Sequence, residues 1–315
     1  MNSHQGLSLI PPKIVPVLDP EFRPAVLANR AFREMVRQAP EHRSVQIAIE
    51  RYAGSVSRFD TELFSENDPR ASGNFIYLER LLKFLLWAKG GATIYFAGPK
   101  NLADQLRNHY RNSPTGRFDA DIMGNKIYER PFDLILVGPD SLPAACEPST
   151  ALGRHLDGCR IGFDLGASDR KAAAVIDGEA VFSEEIPWDP RNHADPDWHF
   201  REIMDSLQRA AKRMPRVDAI GGSSAGVYVN NRVQVASLFR GVPEERFQRE
   251  IKPLFLRIKE AWGKIPFELA NDGEVTALAG SMTLNDNGVL GIAMGSSQAA
   301  GRLSGPTSMR SNGRS

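Results

Sequence analysis

The sequence predicts an α/β protein, a mixed sheet with helices, preceded by a smaller N-terminal α/β extension. Three observations predict it. Short apolar runs at 160–163, 172–176 and 180–183 follow one another closely, and Asp177-Gly178 between the last two is a dipeptide favoured in two-residue hairpins. Beyond them, strand-length runs alternate with patterns of helical period up to residue 301. Before them, two apolar runs at 92–97 and 132–137 with intervening helical patterns suffice for a small unit. The boundaries drawn from this rhythm are 1–157 for the extension, 158–301 for the larger domain and 302–315 for a disordered tail rich in serine and arginine.

Within the extension, Pro11, Pro12, Pro16 and Pro20 favour an extended arm. From Glu21 to Tyr52 the pattern reads as helical, with Arg23, Arg30, Arg33, Arg37, Arg43 and Arg51 offset by Glu21, Glu34, Glu41 and Glu50, as on a solvated face. An amphipathic helix over 77–87 stops at Gly90-Gly91, a strand over 92–97 stops at Gly98-Pro99, and a helix follows over 101–110. The strand at 132–137 ends at Gly138-Pro139, and 142–149, with Pro143 and Pro148, reads as a linker. Ala97 to Lys100 lies between strand and helix, where phosphate loops occur, but lacks their fuller glycine pattern.

In the larger domain, three antiparallel strands give way to a helix that Asp195 can cap and Pro196 can open, with Phe200, Ile203, Met204, Leu207, Ala211 and Met214 on one face. A strand at 217–222, a hairpin over 227–235 turning at Asn230-Asn231, and a helix over 244–262 divided at Pro253 come next. A strand at 265–270, a helix at 274–281 and a strand at 289–294 complete the order.

Composition narrows the function classes. The chain has 315 residues, 42% hydrophobic and 24% charged, an ordinary globular balance, and its 39 basic and 38 acidic side chains leave a net charge of +1. No general field draws it to nucleic acid or to an anionic membrane, so neither is expected as a partner. Residues 1–12 lack the pattern of a secretory signal, and Cys146 and Cys159 are too few for a disulfide framework or a cysteine-based zinc site, so a cytoplasmic location is expected. His193-x-Asp195-x-Asp197-x-His199 has metal-ligand residue types, but a capped helix start explains its acids.

Three segments carry candidate chemistry. Asp164, Gly166 and Ser168 fall at a turn between two strands, where amides and a hydroxyl can face phosphate oxygens; the same residues also suit a plain tight turn. Asp272 follows a strand, where a carboxylate can accept a proton from an attacking hydroxyl, or cap the next helix. Gly291 to Gly301 supplies small residues after a strand, as close approach to phosphate requires.

In this order, the segments resemble the ROK family (repressors, open reading frames and kinases) of the actin/hexokinase-like superfamily, over about residues 160–301. DLGAS at 164–168 looks like the first phosphate loop, AGV at 225–227 like a substrate-side loop, ELANDGEVTALAG at 268–280 like the catalytic segment and MGSSQAAG at 294–301 like the second phosphate loop. The resemblance implies a ribonuclease H-like/actin-like first lobe, with ATP and magnesium as cofactors and a sugar as substrate. It implies that Asp164 orders magnesium through water, and that Gly166, Ser168, Gly295, Ser296 and Ser297 bind the cofactor. Asn271, Ala225 and Gly226 would then bind the sugar, and Asp272 would be the base that lets a sugar hydroxyl take the terminal phosphate of ATP.

The sequence departs from the family in Asp169, where many members carry lysine, with Arg170 or Lys171 available to compensate, and in lacking the glutamate–histidine sugar motif and the cysteine-rich zinc motif. The family's second lobe would need a further ~100 residues. Only residues 302–315 follow Gly301, so a truncated chain is expected, with 289–294 an exposed strand. A non-catalytic sugar-sensing transcriptional regulator, using residues 21–52 as a reading head, and a nonfunctional fragment are the alternatives; oligomeric state is left open.

Overall fold

The computed structural model describes residues 3–4, 7–52, 54–147, 155–263, 265–295 and 298–303. The chain divides into two compact units, Met1–Ser149 and Thr150–Ser315. Among the described residues no helix is long and apolar enough to cross a membrane.

In the first unit, helix α1 (Ala25–Arg37) is followed by strands β1 (His42–Glu50) and β2 (Val56–Phe64), helix α2 (Gly73–Lys89), strand β3 (Thr93–Ala97), helices α3 (Lys100–Asn112) and α4 (Pro114–Ala120) and strand β4 (Asp133–Leu136). The sheet order is β2-β1-β3-β4. The helix expected from 21 to 52 is therefore confined to 25–37. Val45, Ile47 and Ile49, all buried, repeat every second residue and fix 42–50 as a strand paired with β2 along its whole length. The core includes Phe32 stacked on Tyr77 at 4.3 Å and set edge-on to Phe64 at 5.3 Å. Asn74 clips the end of β2: its Oδ1 accepts from the Phe64 N–H at 3.1 Å and its Nδ2 donates to the Phe64 carbonyl at 2.9 Å. Asp119 is wholly buried, and its carboxylate accepts from the Lys83 ammonium at 2.7 Å on both oxygens and from the Trp87 indole at 2.9 Å.

In the second unit, β5 (Cys159–Leu165), β6 (Asp169–Ile176) and β7 (Glu179–Pro187) form the expected antiparallel trio, and Asp177 and Gly178 take the positive φ values, 49° and 87°, of a tight hairpin. Helix α5 (Pro196–Ala211) leads to β8 (Ala219–Ser224), then to the hairpin β9 (Val227–Val229) and β10 (Arg232–Val235). Pro253 separates a π-turn at Phe247–Ile251 from helix α6 (Leu254–Ala261). Strand β11 (Phe267–Asn271) runs directly into helix α7 (Asp272–Leu284), and β12 (Leu290–Met294) pairs with β13 (Gln298–Arg302). That last strand was not expected, and it carries the chain into the first residue of the predicted tail; residues 304–315 lie outside the described ones.

The five-stranded sheet has the order β11-β8-β5-β6-β7, with β11, β8 and β5 mutually parallel and β6 and β7 antiparallel to their neighbours. This order and these directions are those of a ribonuclease H-like, actin-like lobe. One face of the sheet is buried with Ile203 and Leu207 of α5 and Phe255 and Ile258 of α6. Phe163 lies in that layer over Gly222 of the next strand, where an added Cβ would come within 2.5 Å of its ring. Arg170, 4% exposed, projects to the same side, where its guanidinium donates to Glu202 at 2.8 Å, to Asp205 at 3.2 Å and to the Ser206 hydroxyl of α5. The hairpin turn at Asn230 and Asn231, φ 50° and 61°, brings the Asn231 amide against β11: Oδ1 accepts from the Leu269 N–H at 2.8 Å and Nδ2 donates to the Phe267 carbonyl at 3.1 Å.

Helix α7 meets the β12–β13 hairpin backbone to backbone. Its buried positions Gly273, Ala277 and Ser281 recur every four residues, a stripe of small side chains. Gly291 and Gly301 lie against this stripe, and a Cβ at Gly291 would stand 2.6 Å from the Ala277 Cα. The other side of β12 is open, with Leu290, Ile292 and Met294 all more than half exposed.

Candidate functional site

The three parallel strands end side by side. Asp164 is paired with Ser223, Leu165 with Ser224, and Ser224 with Asn271, so β5, β8 and β11 deliver their exits at one level. Open α/β sheets offer their ligand sites at such carboxyl ends. The chain leaves β5 by the turn 166–168, β8 by Ala225-Gly226 and β11 by the start of α7.

These exits line one cavity of about 1030 Å³. Of the residues singled out in the sequence, Asp164, Gly166, Ser168, Ala225, Asp272 and Gly295 border it, joined by Asp169, Lys171, Glu184, Glu185, Ser223 and Thr276. Gly226 and Asn271 stand beside it and are not among its lining residues. Ser296 and Ser297 lie outside the described residues.

The first turn is held from behind. The Gly166 N–H donates to the Asp169 carbonyl at 2.9 Å, and the buried Trp188 donates its indole N–H to the Gly166 carbonyl at 2.9 Å and its backbone N–H to the Ser168 carbonyl at 3.0 Å. Among the described residues, the N–H groups of Ala167 and Ser168 have no backbone partner, so two amides of the turn remain open. Sequence reasoning missed Trp188, whose only signal was an isolated aromatic after the third strand.

Asp169, which adds a negative charge next to the turn, is neutralised locally. Lys171 Nζ donates to its carboxylate at 2.7 Å and the Ser168 hydroxyl at 2.8 Å, and Lys171 also lies 3.9 Å from Asp164. The hydrogen bond from Lys171, seconded by Ser168, holds the Asp169 carboxyl below the usual carboxylate range, and the same bond pushes the Lys171 ammonium up. Of the two cations expected to compensate, Lys171 does so. Arg170 faces the opposite side of the sheet and serves α5 instead.

At the third exit, Asn271 is the helix cap. Its Oδ1 accepts from the Gly273 N–H at 2.9 Å, Glu274 closes the reciprocal half of a capping box, and its Nδ2 donates to the Gly226 carbonyl at 2.8 Å. The amide that the resemblance assigns to a sugar hydroxyl is thus engaged in tying two exits together. Asp272, the first residue of α7, receives the Gly273 N–H at 3.1 Å and borders the cavity at the end of the helix whose dipole favours a carboxylate. The second exit is stitched from below: the half-buried Tyr228 places its hydroxyl 2.8 Å from Ser224 Oγ and 3.1 Å from the Ala225 carbonyl. Burial is the main reason its pKa is raised.

The cluster at 193–199 does not converge on a metal position, and no such group exists among the described residues. Asp195 caps α5 and accepts from Arg246 at 3.3 Å, while Asp197 accepts from Arg257 at 3.1 Å. His193 stacks on Trp198 at 3.6 Å, and His199 is wholly buried, its Nε2 donating to the His193 carbonyl at 3.1 Å while Nδ1 has no partner. Burial, above all, lowers the His199 pKa from its ordinary 6.5. The unfolded chain then takes up a proton that the folded one resists, so stability falls as pH drops from about 6.5 towards the lowered folded value. Thermal melts from pH 7 to about 5.5 are expected to show this loss in the wild type and less of it in His199→Gln; equal slopes would exclude the histidine as the cause.

No protein-family model matches the chain, and no curated protein matches it. Among solved structures it is similar to the ROK hexokinase from Thermus thermophilus (19% identity, TM-score 0.36, 46% of this chain and 45% of that one). It is also similar to a glucokinase from Parabacteroides distasonis (16% identity, TM-score 0.37, 47% and 45%). A third likeness is to a ROK family transcriptional regulator, a homologue of the E. coli MLC protein (21% identity, TM-score 0.36, 47% and 37%). The matched part of each of these proteins is under half its length, and what it has in common with this chain is the fold.

Proposed function

We propose that the second unit carries a nucleotide-dependent phosphotransferase site of the sugar-kinase type, with Asp272 as the base and a sugar hydroxyl as the acceptor. The observation that carries this reading is the placement of Asp272, the turn 166–168 and Gly295 on the lining of one cavity.

The residues present fit a nucleotide accompanied by magnesium. Asp164, Asp169, Glu185 and Asp272 border the cavity, the Glu184 carboxylate being turned away to Arg209 at 2.8 Å, and Lys171 is the one cation among the lining residues. Two like charges 4 Å apart near a protein surface repel by about 4 kcal/mol, so a bare triphosphate is poorly suited to this lining. A magnesium ion, which usually keeps several of its waters and needs only one or two carboxylates, suits Asp164 as its holder. Bound magnesium would neutralise phosphate charge. The open amides of Ala167 and Ser168, and the small residue Gly295, suit close approach of phosphate oxygens.

In the transfer itself, the Asp272 carboxylate accepts the acceptor's hydroxyl proton as that oxygen bonds to the terminal phosphorus. The bond from this phosphorus to the bridging oxygen breaks, ADP leaves, and the proton passes from Asp272 to water. Lys171, already positioned by Asp169, orients the phosphate oxygens. The regulator reading would use residues 21–52 as a reading head, and these form one helix followed by a strand.

Calorimetry with magnesium-ATP, followed by ADP release in the presence of a panel of sugars, tests the proposal. Asp272→Asn is expected to retain nucleotide binding and to lose at least about 100-fold in transfer rate. A wild-type chain that fails to bind magnesium-ATP, or an Asp272→Asn chain as fast as wild type, would remove the reading.

A further inference from the structure

Ser223 stands in a row that crosses all five strands on the cavity side of the sheet: Ala270, Ser223, Asp164, Lys171 and Glu185 are successive partners in the ladders. Paired residues show their side chains on one face, with the strands about 4.8 Å apart, so the Ser223 hydroxyl is the immediate neighbour of the Asp164 carboxylate. On its other side Ala270 offers no polar side-chain atom.

The residue is only 8% exposed, and its hydroxyl has no protein hydrogen-bond partner among the described residues. The next serine shows the contrast. Ser224, on the opposite face and fully buried, has its Oγ 2.8 Å from the Tyr228 hydroxyl and 3.4 Å from the Leu165 carbonyl. The hydroxyl is not enclosed by protein: it opens on the cavity. Ser223 borders the cavity, so the group that meets its hydroxyl must come from there.

The side chains beside it define what that group is. Asp164 has a single close cation, Lys171, whose 3.9 Å separation is beyond hydrogen-bond distance and whose 2.7 Å bond goes to Asp169 instead. Two adjacent oxygens, a carboxylate and a hydroxyl, thus present acceptors to the same volume, and coordinated waters are hydrogen-bond donors. We propose that Ser223 Oγ and Asp164 together hold the water shell of the divalent cation that accompanies a nucleotide phosphate in this cavity. The assignment rests on the phosphotransferase reading and adds to it a hydroxyl that fixes the position a lone carboxylate leaves loose.

The test compares ATP binding by calorimetry, with and without magnesium, for the wild type, Ser223→Ala and Ser183→Ala. Ser183 borders the same cavity from an exposed position and serves as the control. Ser223→Ala is expected to weaken magnesium-ATP binding about 5- to 10-fold, to leave magnesium-free binding unchanged and to keep the wild-type melting temperature, whereas Ser183→Ala changes nothing. Equal weakening with and without magnesium would place Ser223 on the nucleotide rather than on the cation's waters and overturn the assignment. A lowered melting temperature with unchanged binding would make Ser223 structural and overturn it as well. Wild-type affinity in Ser223→Ala removes the inference and leaves the phosphotransferase reading standing; no magnesium-ATP binding by the wild type removes both.

Discussion

Gly291→Ala is expected to unseat the β12–β13 hairpin from α7. The new methyl would lie 2.6 Å from the Ala277 Cα and closer still to its nitrogen, and both are backbone atoms of a helix that no rotamer change can move aside. Gly301 and Gly273 hold the other end of the contact in the same way, so the hairpin cannot slide to make room. Overpacking of this kind costs about 3 kcal/mol. Hydrogen exchange should show amides 290–302 losing protection while those of β5, β8 and β11 keep theirs. If the substituted hairpin stays as protected as the native one, the close helix–hairpin approach is wrong. Because Gly295 lies at the end of this hairpin, magnesium-ATP affinity should fall in the same variant.

The second large effect belongs to the first unit. Lys83→Met removes both 2.7 Å bonds to the Asp119 carboxylate and leaves it with the Trp87 indole alone, in a site with no exposure. An uncompensated buried charge costs about 3–5 kcal/mol, while replacing both partners of a buried pair by apolar groups is often neutral. The single variant should therefore lose about 3 kcal/mol in urea unfolding, and Lys83→Met with Asp119→Leu should recover most of it. Additive losses in the double variant would show that the two side chains do not act as a pair.

Much of the second unit was legible because local chemistry and tertiary role agree there. Asp177-Gly178 and Asn230-Asn231 take the positive φ values that their residue types tolerate, Asp195 caps α5, and Pro253 stops a helix. The first unit was read less well. Arginine and glutamate between Glu21 and Tyr52 looked like a solvated helix, yet in β1 the polar residues merely alternate with Val45, Ile47 and Ile49. Strand β2 was missed for the same reason: Arg58, Asp60 and Glu62 occupy the alternate positions along it. Strand β13, made of Gln298 to Arg302, has no apolar run, since it is built to let backbones touch rather than to bury side chains. At the candidate site, the residues marked by glycine turns and strand ends could be named from sequence. Trp188, Ser223 and the pairing of Lys171 with Asp169 could not, because each depends on which strand lies next to which.

The Asn231 clip also decides how the sheet can grow. By occupying the Phe267 carbonyl and the Leu269 N–H, it closes the outer margin of β11 to any further strand. The opposite margin, β7, is defended differently, by Glu179, Glu184, Glu185 and Pro187 and by a register shift opposite Ala174 and Val175 that leaves Val181 of β7 itself without a ladder partner. A protein guarded on both flanks in this way should resist fibril formation through this sheet, and replacing Asn231 would remove the guard on one of them.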